Sequence, residues 1–468
     1  MYNRKPGITR KIFFICTILW LQTAAPARAQ SSRLFPLRIT KGEKYLTDAK
    51  NQPFLIKEIS AWGLIQALSE KDEAAFIDSV KRKGFNTLMV SLISNDTRFA
   101  GGPPNWQGIP PFTIKGDFSS YNPAYFDHAD NLLRMAGEKG MLVLLVPCYL
   151  GYKGDKTQGW WSQLLGADNS VAKSKAYGEF IGKRYKDFGN LIWVAGGDNK
   201  GDSSLNAHME NIIQGIEESD TRHLWTGHFE SKQGTNWSTD NELYAKYIDI
   251  DGLYDFVESN LGKDAPQYKT ELKRYGKGRM IFQLDQSYEH DIPHSVDNEN
   301  PLWIRRKNYD GLLSGCAGTS FCPGQKDNPE YTFKNWRPLM NTEGMIEMQL
   351  CFNLFQSRNW YQLVPDTTNA VITEGRGRYG SINYVCAAQT TDHSTYIAYL
   401  PLGGTVSVNL DALQVKNVKA WWYDPRNGEA LAIGTFPARG TKEFNAFTSE
   451  DWVLVIDNAN IQLHAPGK

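Results

Sequence analysis

From Phe54 to Pro323, short apolar runs alternate with longer stretches in which apolar residues recur every three or four positions. The runs predict strands and the stretches predict amphipathic helices. Phe54–Ile56 reads as the first strand and leads into Ala61-Trp62; a helix opens at Ser69, with Asp72 three residues on in a capping-box pattern, and carries Phe76 and Val80. Phe85–Leu92 is the second strand. Beyond a Gly/Pro-rich loop at 101–111, Asn122-Pro123 opens a helix with Phe126, Ala129, Leu132, Leu133 and Ala136 on one face. Met141–Val146, the third strand, is apolar throughout, as a parallel strand covered on both faces would be. A helix over Ala172–Phe188 leads to the fourth strand, Leu191–Ala195, which stops at Gly196-Gly197-Asp198. A helix over Leu205–Glu217 leads to the fifth strand, Leu224–Gly227, ending at His228. The sixth falls near Ile248–Leu253, and a helix over Tyr268–Tyr275 precedes the seventh, Met280–Leu284, which ends at Asp285. Helix Leu302–Gly315 and strand Thr319–Cys322 complete eight β-then-α units. That order predicts an α/β fold closed as a (β/α)8 TIM barrel. An open doubly wound sheet is the alternative, but no Gly-rich turn follows the first strand.

The pattern changes after Pro365-Asp366. Tyr384–Ala388, Tyr396–Leu400, Val406–Leu410, Val418–Tyr423, Glu443–Phe447 and Trp452–Ile456 are short strands separated by turns, which predicts a C-terminal β-sandwich over 367–468. Residues 30–366 then form the barrel domain, and 1–29 read differently. Arg4, Lys5, Arg10 and Lys11 precede the apolar run Ile12 to Leu21 and then Ala27-Arg28-Ala29, the pattern of a secretory signal peptide cleaved before Gln30. The run is shorter than the ~20 apolar residues a membrane span needs, so the expectation is an exported protein, periplasmic or extracellular, with no integral span after cleavage.

Composition narrows the partners. Lys+Arg and Asp+Glu are both 51, and loss of the leader leaves 46 against 51, which excludes nucleic-acid binding through bulk positive charge. With 41% hydrophobic residues the chain is not disordered. The cysteines left after the leader are Cys148, Cys316, Cys322, Cys351 and Cys386, an odd, scattered set that makes neither a disulfide framework nor a zinc site, with Cys316–Cys322 as at most one pair.

Candidate chemistry sits where a barrel places it, at the C-terminal ends of the strands. Asp198 ends the fourth strand and Asp285 the seventh, across the mouth from each other. Two carboxylates flanking one bond are what acid-assisted glycoside hydrolysis requires, one protonating the leaving oxygen and the other attacking the sugar or activating water. Trp62, Tyr149, Trp160, Trp161, Trp237 and Tyr288 fall at strand ends or in the loops that follow, where rings can stack on sugar faces. His228 ends the fifth strand, as a structural histidine or a substrate contact. Glu289-His290-Asp291 with His294 imitates a metal cluster but matches no established spacing, and no G-x-S-x-G, H-E-x-x-H or Walker loop is present. No metal or organic cofactor is called for.

The sequence after Gln30 resembles the apiosidase-like glycoside hydrolases, family 140 and its relatives, barrel enzymes with a C-terminal module named for collagen binding. The resemblance rests on Tyr45-Leu46-Thr47-Asp48 with Gln52-Pro53-Phe54, Ala61-Trp62, Lys83-Gly84-Phe85-Asn86, and Asn122-Pro123-Ala124-Tyr125-Phe126-Asp127. It continues through Glu138-Lys139-Gly140, Leu145-Val146-Pro147, Arg184-Tyr185-Lys186 and, most specifically, Asn190-Leu191-Ile192-Trp193-Val194-Ala195-Gly196-Gly197-Asp198. Thr226-Gly227-His228, Tyr288-Glu289, Arg305-Arg306, Gly315-Cys316-Ala317-Gly318, Leu363-Val364-Pro365-Asp366 and Trp421-Trp422-Tyr423-Asp424-Pro425-Arg426-Asn427-Gly428 complete it. The resemblance implies that Asp198 is one catalytic carboxylate, the general acid. Counting back from Tyr288-Glu289, it puts the second at Asp285, as nucleophile or base, where the family carries a glutamate; Glu289 is the substitute. Trp62, Trp160, Asn199, His228 and Tyr288, at or beside strand ends, are expected to bind substrate, and the resemblance implies a carbohydrate substrate of plant type, apiose-containing pectin. The family's aspartate before Ala61-Trp62 corresponds to Ile59, expected at the pocket. The rival expectation is a non-catalytic glycan-binding protein whose barrel site has decayed at Ile59 and Asp285.

Overall fold

The computed structural model describes Met1 and residues 34–96, 102–151, 158–199, 203–229, 236–255, 266–286, 288–290, 301–324 and 333–468. Residues 2–33, which hold all but the first residue of the expected leader, and Asp291 and His294 of the metal-like cluster lie outside the described residues. The apolar runs form eight parallel strands: β1 (Ile56–Ser60), β2 (Thr87–Ser91), β3 (Leu142–Val146), β4 (Leu191–Gly196), β5 (Trp225–His228), β6 (Asp251–Asp255), β7 (Ile281–Gln286) and β8 (Gly318–Phe321). They hydrogen-bond in the order β8-β1-β2-β3-β4-β5, with β6 paired to β7. The ring closes through a few backbone bonds, Ala317 N to Ile281 O at 2.7 Å on one side, and Asp249 N (3.0 Å) and Ile250 N (3.1 Å), both to Trp225 O, on the other. Between β5 and β6 the ladder is replaced by one side chain. The Ser238 hydroxyl lies 3.1 Å from Gly227 N and 2.9 Å from Gly252 N, and it also reaches both carbonyls.

Alternation divides each strand between two cores. Ile56, Met89, Leu142, Leu144, Val146, Ile192, Val194, Phe282 and Leu284 fill the barrel. Ile59, Leu88, Val90, Val143, Leu145 and Trp193 face the surrounding helices. Those helices are α1 (Glu70–Arg82), α2 (Pro123–Glu138), α3 (Val171–Tyr185), α4 (Ser203–Glu217), α5 (Tyr268–Tyr275), α6 (Pro301–Leu313) and α7 (Glu343–Gln356). Ser69 caps α1 through the amide of Asp72, as its sequence predicts. Two strands lie off their predicted positions. Pro53–Phe54 pairs with Leu46–Thr47 in a small antiparallel ribbon, and β1 runs on to Ser60 through the charged pair Lys57-Glu58, which disguises it as a strand end. The sixth strand is shifted toward Asp255.

The C-terminal region folds as two antiparallel sheets. Its strands are β9 (Leu363–Pro365), β10 (Ile372–Glu374), β11 (Cys386–Thr390), β12 (Thr395–Leu400), β13 (Thr405–Asn409), β14 (Asn417–Tyr423), β15 (Ala430–Pro437), β16 (Thr441–Asn445) and β17 (Trp452–Asn458). One sheet has the order β9-β11-β12-β17-β14-β15 and the other β10-β13-β16. Tyr396, Ala398, Val406, Val408, Trp422 and Leu454 fill the space between them. The opposite face of the larger sheet, with Ile397, Tyr399, Trp421, Tyr423, Val453 and Val455, packs on Tyr309, Leu312, Leu354 and Phe355 of α6 and α7. Its central strands are therefore buried on both faces. Cys148, Cys316, Cys322, Cys351 and Cys386 are all buried and free, so no Cys316–Cys322 bridge forms.

Candidate active site

Asp198 owes its position to the two glycines before it. Gly196 and Gly197 have φ of 96° and 111°. A Cβ on Gly196 would lie 2.2 Å from His228 O, and one on Gly197 2.5 Å from the Tyr149 ring. Only glycine permits both the backbone conformation and the approach. Asp198 follows at φ 50°, a left-handed conformation that aspartate tolerates better than most residues. The turn holds its carboxylate over the barrel mouth, where three donors converge. Tyr149 OH and Gln158 Nε2 (3.0 Å) donate to Oδ2, and Tyr254 OH donates to Oδ1 at 3.0 Å.

Asp285 reaches the same place by a different device. Phe282 and Leu284 already point into the barrel, so strict alternation would send Asp285 outward. The register against β6 slips, however: Leu253 pairs with Gln283 and Tyr254 with Asp285, which leaves Leu284 as an extra residue. This bulge reverses the phase and turns Asp285 inward. There its Oδ2 accepts from His228 Nε2 at 2.9 Å and its Oδ1 from the Gln286 amide at 3.0 Å. His228 Nδ1 in turn accepts the Asp198 backbone N–H at 3.3 Å and stands 3.7 Å from Asp198 Oδ1. One imidazole thus touches both aspartates, with its proton on Nε2.

Burial raises the Asp285 carboxyl above its ordinary range, and the nearby Asp198 adds to this, against the opposing pull of His228. Burial lowers the basicity of His228, but its bond to Asp285 and the charges of both aspartates outweigh that and raise it. The imidazole sits in an aromatic wall, 4.2 Å from the Tyr254 ring and 5.0 Å from Trp62, which is itself 5.5 Å from Tyr149. The Trp62 indole N–H has no hydrogen-bond partner among the described residues. Tyr288 is half-buried beside this group; burial holds its phenol well above the usual range, and the charges of Asp285 and Asp198 add to the effect.

The structure therefore brings Asp198, Asp285, His228, Trp62 and Tyr288 together and leaves other expected residues outside. Glu289 is buried, and its two oxygens accept the backbone amides of Gly344 (2.9 Å) and Gly324 (3.3 Å), which ties its loop to the N-terminus of α7. Asn199 is buried and donates to Asn206 Oδ1 at 2.9 Å, inside the loop that leads into α4. Trp160 packs between Phe112 and Phe118 in the layer between barrel and helices, and Trp237 donates its N–H to Thr270. Ile59 also lies in that outer layer and not at the pocket, because it alternates with inward-facing Glu58.

Sequence reasoning missed Tyr254, Gln158 and Glu58. Tyr254 lies one residue before the end of β6, beyond the predicted limit at Leu253, and Gln158 carries no motif. Glu58 is fully buried in the barrel floor, in register with Ser320; burial pushes its carboxyl well up and the charge of Asp285 adds to the shift. Among the described residues, no group of three or more His, Cys, Asp or Glu side chains is placed to hold a metal ion, and no helix is long and apolar enough to cross a membrane.

Two family models match the chain: "Apiosidase-like, catalytic domain" over residues 40–362, and a model named for the collagen-binding domain of a collagenase over 364–457. A solved structure titled glycoside hydrolase superposes with a TM-score of 0.75 at 22% identity, covering 92% of this chain and 98% of its own. A glycoside hydrolase family 5 structure from Bacteroides vulgatus gives 0.74 at 19% identity, covering 92% and 97%. At these identities the likeness is one of fold. No curated protein matches the chain.

Proposed function

The chain belongs to the apiosidase-like family of glycoside hydrolases, and from that premise we propose that it is exported and cleaves glycosidic bonds in plant polysaccharide side chains, apiose-containing pectin among them, with Asp198 and Asp285 as its two carboxylates. The observation that carries this reading is the single imidazole of His228, bonded to Asp285 and to the Asp198 turn at the C-terminal ends of β5, β7 and β4.

Asp285 is the nucleophile or base. His228 Nε2 and the Gln286 backbone amide each bond one of its oxygens and hold the carboxylate in one orientation. Asp198 is the general acid. It is the more exposed of the two, at 19% against 3%, and can exchange its proton with solvent between turnovers. Trp62 and Tyr288 supply the ring surfaces that position the sugar. Against a glycan-binding protein with a decayed site stands the unbroken chain of contacts from Tyr254 through Asp198 and His228 to Asp285.

A second reading exchanges the roles, because burial raises the carboxyl of Asp285 as a general acid requires. The leaving group distinguishes them. A nitrophenyl glycoside needs no protonation, so the acid's Asn variant keeps turning it over, and the other carboxylate's Asn variant does not. The parent test is monosaccharide release from pectic and arabinan oligosaccharides by wild type, lost in Asp198→Asn and Asp285→Asn. Release from none of them, with binding retained, would overturn the hydrolase reading in favour of a glycan-binding protein.

A further inference from the structure

The end of the barrel opposite Asp198 carries a second cleft. It opens where Tyr45 precedes the N-terminal ribbon, Ala317 precedes β8 and the Trp360–Leu363 segment enters the C-terminal sheets, with a volume of about 410 Å³. That lies within the range of small-molecule sites, roughly 300–1,000 Å³, and suits one or two sugar rings.

Its lining is aromatic and polar at once. Tyr45, Tyr275, Trp360 and Tyr361 are all half-exposed, although most large rings of this chain are buried. Tyr45 stands 6.0 Å and 71° from Trp360 and 5.5 Å and 62° from Tyr361, and the latter two meet at 85°. Such edge-to-face contacts fix ring orientations before any ligand arrives. The polar groups are fixed too. Lys44 Nζ sits 3.4 Å from the centre of the Tyr275 ring and donates to Tyr275 O at 3.0 Å. The Gln362 side-chain oxygen accepts from Thr391 Oγ1 and Asp392 N, both at 3.1 Å, which sets the plane of its amide.

We propose that this cleft is a non-catalytic binding site for a neutral carbohydrate chain, distinct from the Asp198–Asp285 site. A sugar ring offers an apolar face for the pre-set rings and hydroxyls for oriented donors and acceptors of both kinds. The fringe carries one acid, Glu43, beside one base, Lys44, so it selects neither a strongly anionic nor a cationic ligand. The choice of carbohydrate rests on the glycoside hydrolase reading; the second site does not depend on which aspartate does what. Because the two sites face opposite ends of the barrel, the cleft raises the local concentration of polymer without entering the reaction.

The test uses the full-length protein with Asp198→Asn, which retains binding, titrated calorimetrically with arabinopentaose, galactotetraose and cellopentaose. Two binding sites are expected for at least one of these sugars, and Trp360→Ala or Tyr361→Ala in the same background removes one of them. In the otherwise wild-type protein, either substitution lowers retention on the corresponding insoluble polysaccharide about tenfold. Turnover of a small soluble glycoside stays unchanged, which shows that the variants are folded. One site or none for all three sugars, or polymer retention unchanged in both variants, overturns the proposal. The hydrolase reading falls separately, on the absence of turnover by wild type.

Discussion

His228 Nε2 donates to Asp285 Oδ2 at 2.9 Å inside the barrel mouth, where the imidazole is 1% exposed and the carboxylate 3%. The bond lowers the Asp285 carboxyl while burial and Asp198 raise it, so His228 sets how far into the acid range Asp285 remains ionised.

Replacing His228 by Ala removes that opposing influence. A hydrogen bond to a charged group is worth about 1.5–3 kcal/mol, and one pKa unit is about 1.4 kcal/mol. The acid limb of kcat/KM against pH should therefore move upward by roughly one to two units. A histidine that only supports the fold would lower the plateau and leave the limb in place, and the pH profile reads the difference.

Asp285 also burdens the fold. Its folded-state pKa is raised above the ordinary carboxylate value, so its contribution to stability is present in full below that value and lost as pH rises through the folded one. Asp285→Asn carries no charge and keeps an oxygen for His228. It should be more stable than wild type at pH 7, by about 1–3 kcal/mol, with the difference vanishing near pH 3. Its turnover should fall by roughly 10³-fold or more. Melting temperatures across pH, beside rates, check both halves.

Tyr254 and Tyr149 act on Asp198 from opposite sides, one on each carboxylate oxygen. Tyr254→Phe keeps the ring that packs 4.2 Å from His228 and deletes only the donor. We expect kcat to fall about 10- to 100-fold with KM little changed, and the double Phe variant to lose less than the product of the two, because the donors share one acceptor group. Steady-state kinetics of the three variants decide it.

How far the sequence revealed this site varies by residue. Asp198 was legible because Gly196-Gly197 announces a sharp turn after an apolar strand. Asp285 was legible as a strand end, but its inward direction was not: the bulge at Leu284 reverses a period-two pattern that reads continuously through Phe282 and Leu284. Lys57 and Glu58 hid β1, since two adjacent charges rarely occupy a central strand. One reaches outward to Gln356 and the other stays inside the barrel. Glu289 bonds the α7 N-terminus and Trp160 packs in the outer layer, because nearness in sequence to a strand end does not say whether a loop side chain faces the mouth or the layer beneath. In the C-terminal sheets, β12 and β17 are apolar without alternation because both faces are covered. β15 went unread because its Ala, Gly and Pro residues lie along a partly exposed edge.

The two domains share one core, and a buried ion cluster crosses it. Arg305 of α6 makes a two-pronged contact with Asp451, both bonds at 2.8 Å, while Tyr399 OH donates to the same carboxylate at 2.9 Å. Glu347 of α7 also meets Arg305, but burial pushes its carboxyl up to about 8, so Asp451 is the principal counter-charge near neutral pH. Asp451→Ala would leave a buried guanidinium and a buried phenol without that partner, and breaking such a pair costs about 3–5 kcal/mol. Because Ile397, Tyr399, Val453 and Val455 pack on Leu354, Phe355 and Tyr309, the loss should be felt by both domains. Calorimetry should show one transition in wild type and one, shifted down as a whole, in Asp451→Ala. Raising the pH through 8 should weaken the variant less than the wild type, since Glu347, freed of competition from Asp451, becomes the counter-ion of Arg305 and ionises at lower pH. Two separated transitions in the wild type would mean that the sheets are an appended module, and that the barrel does not need them.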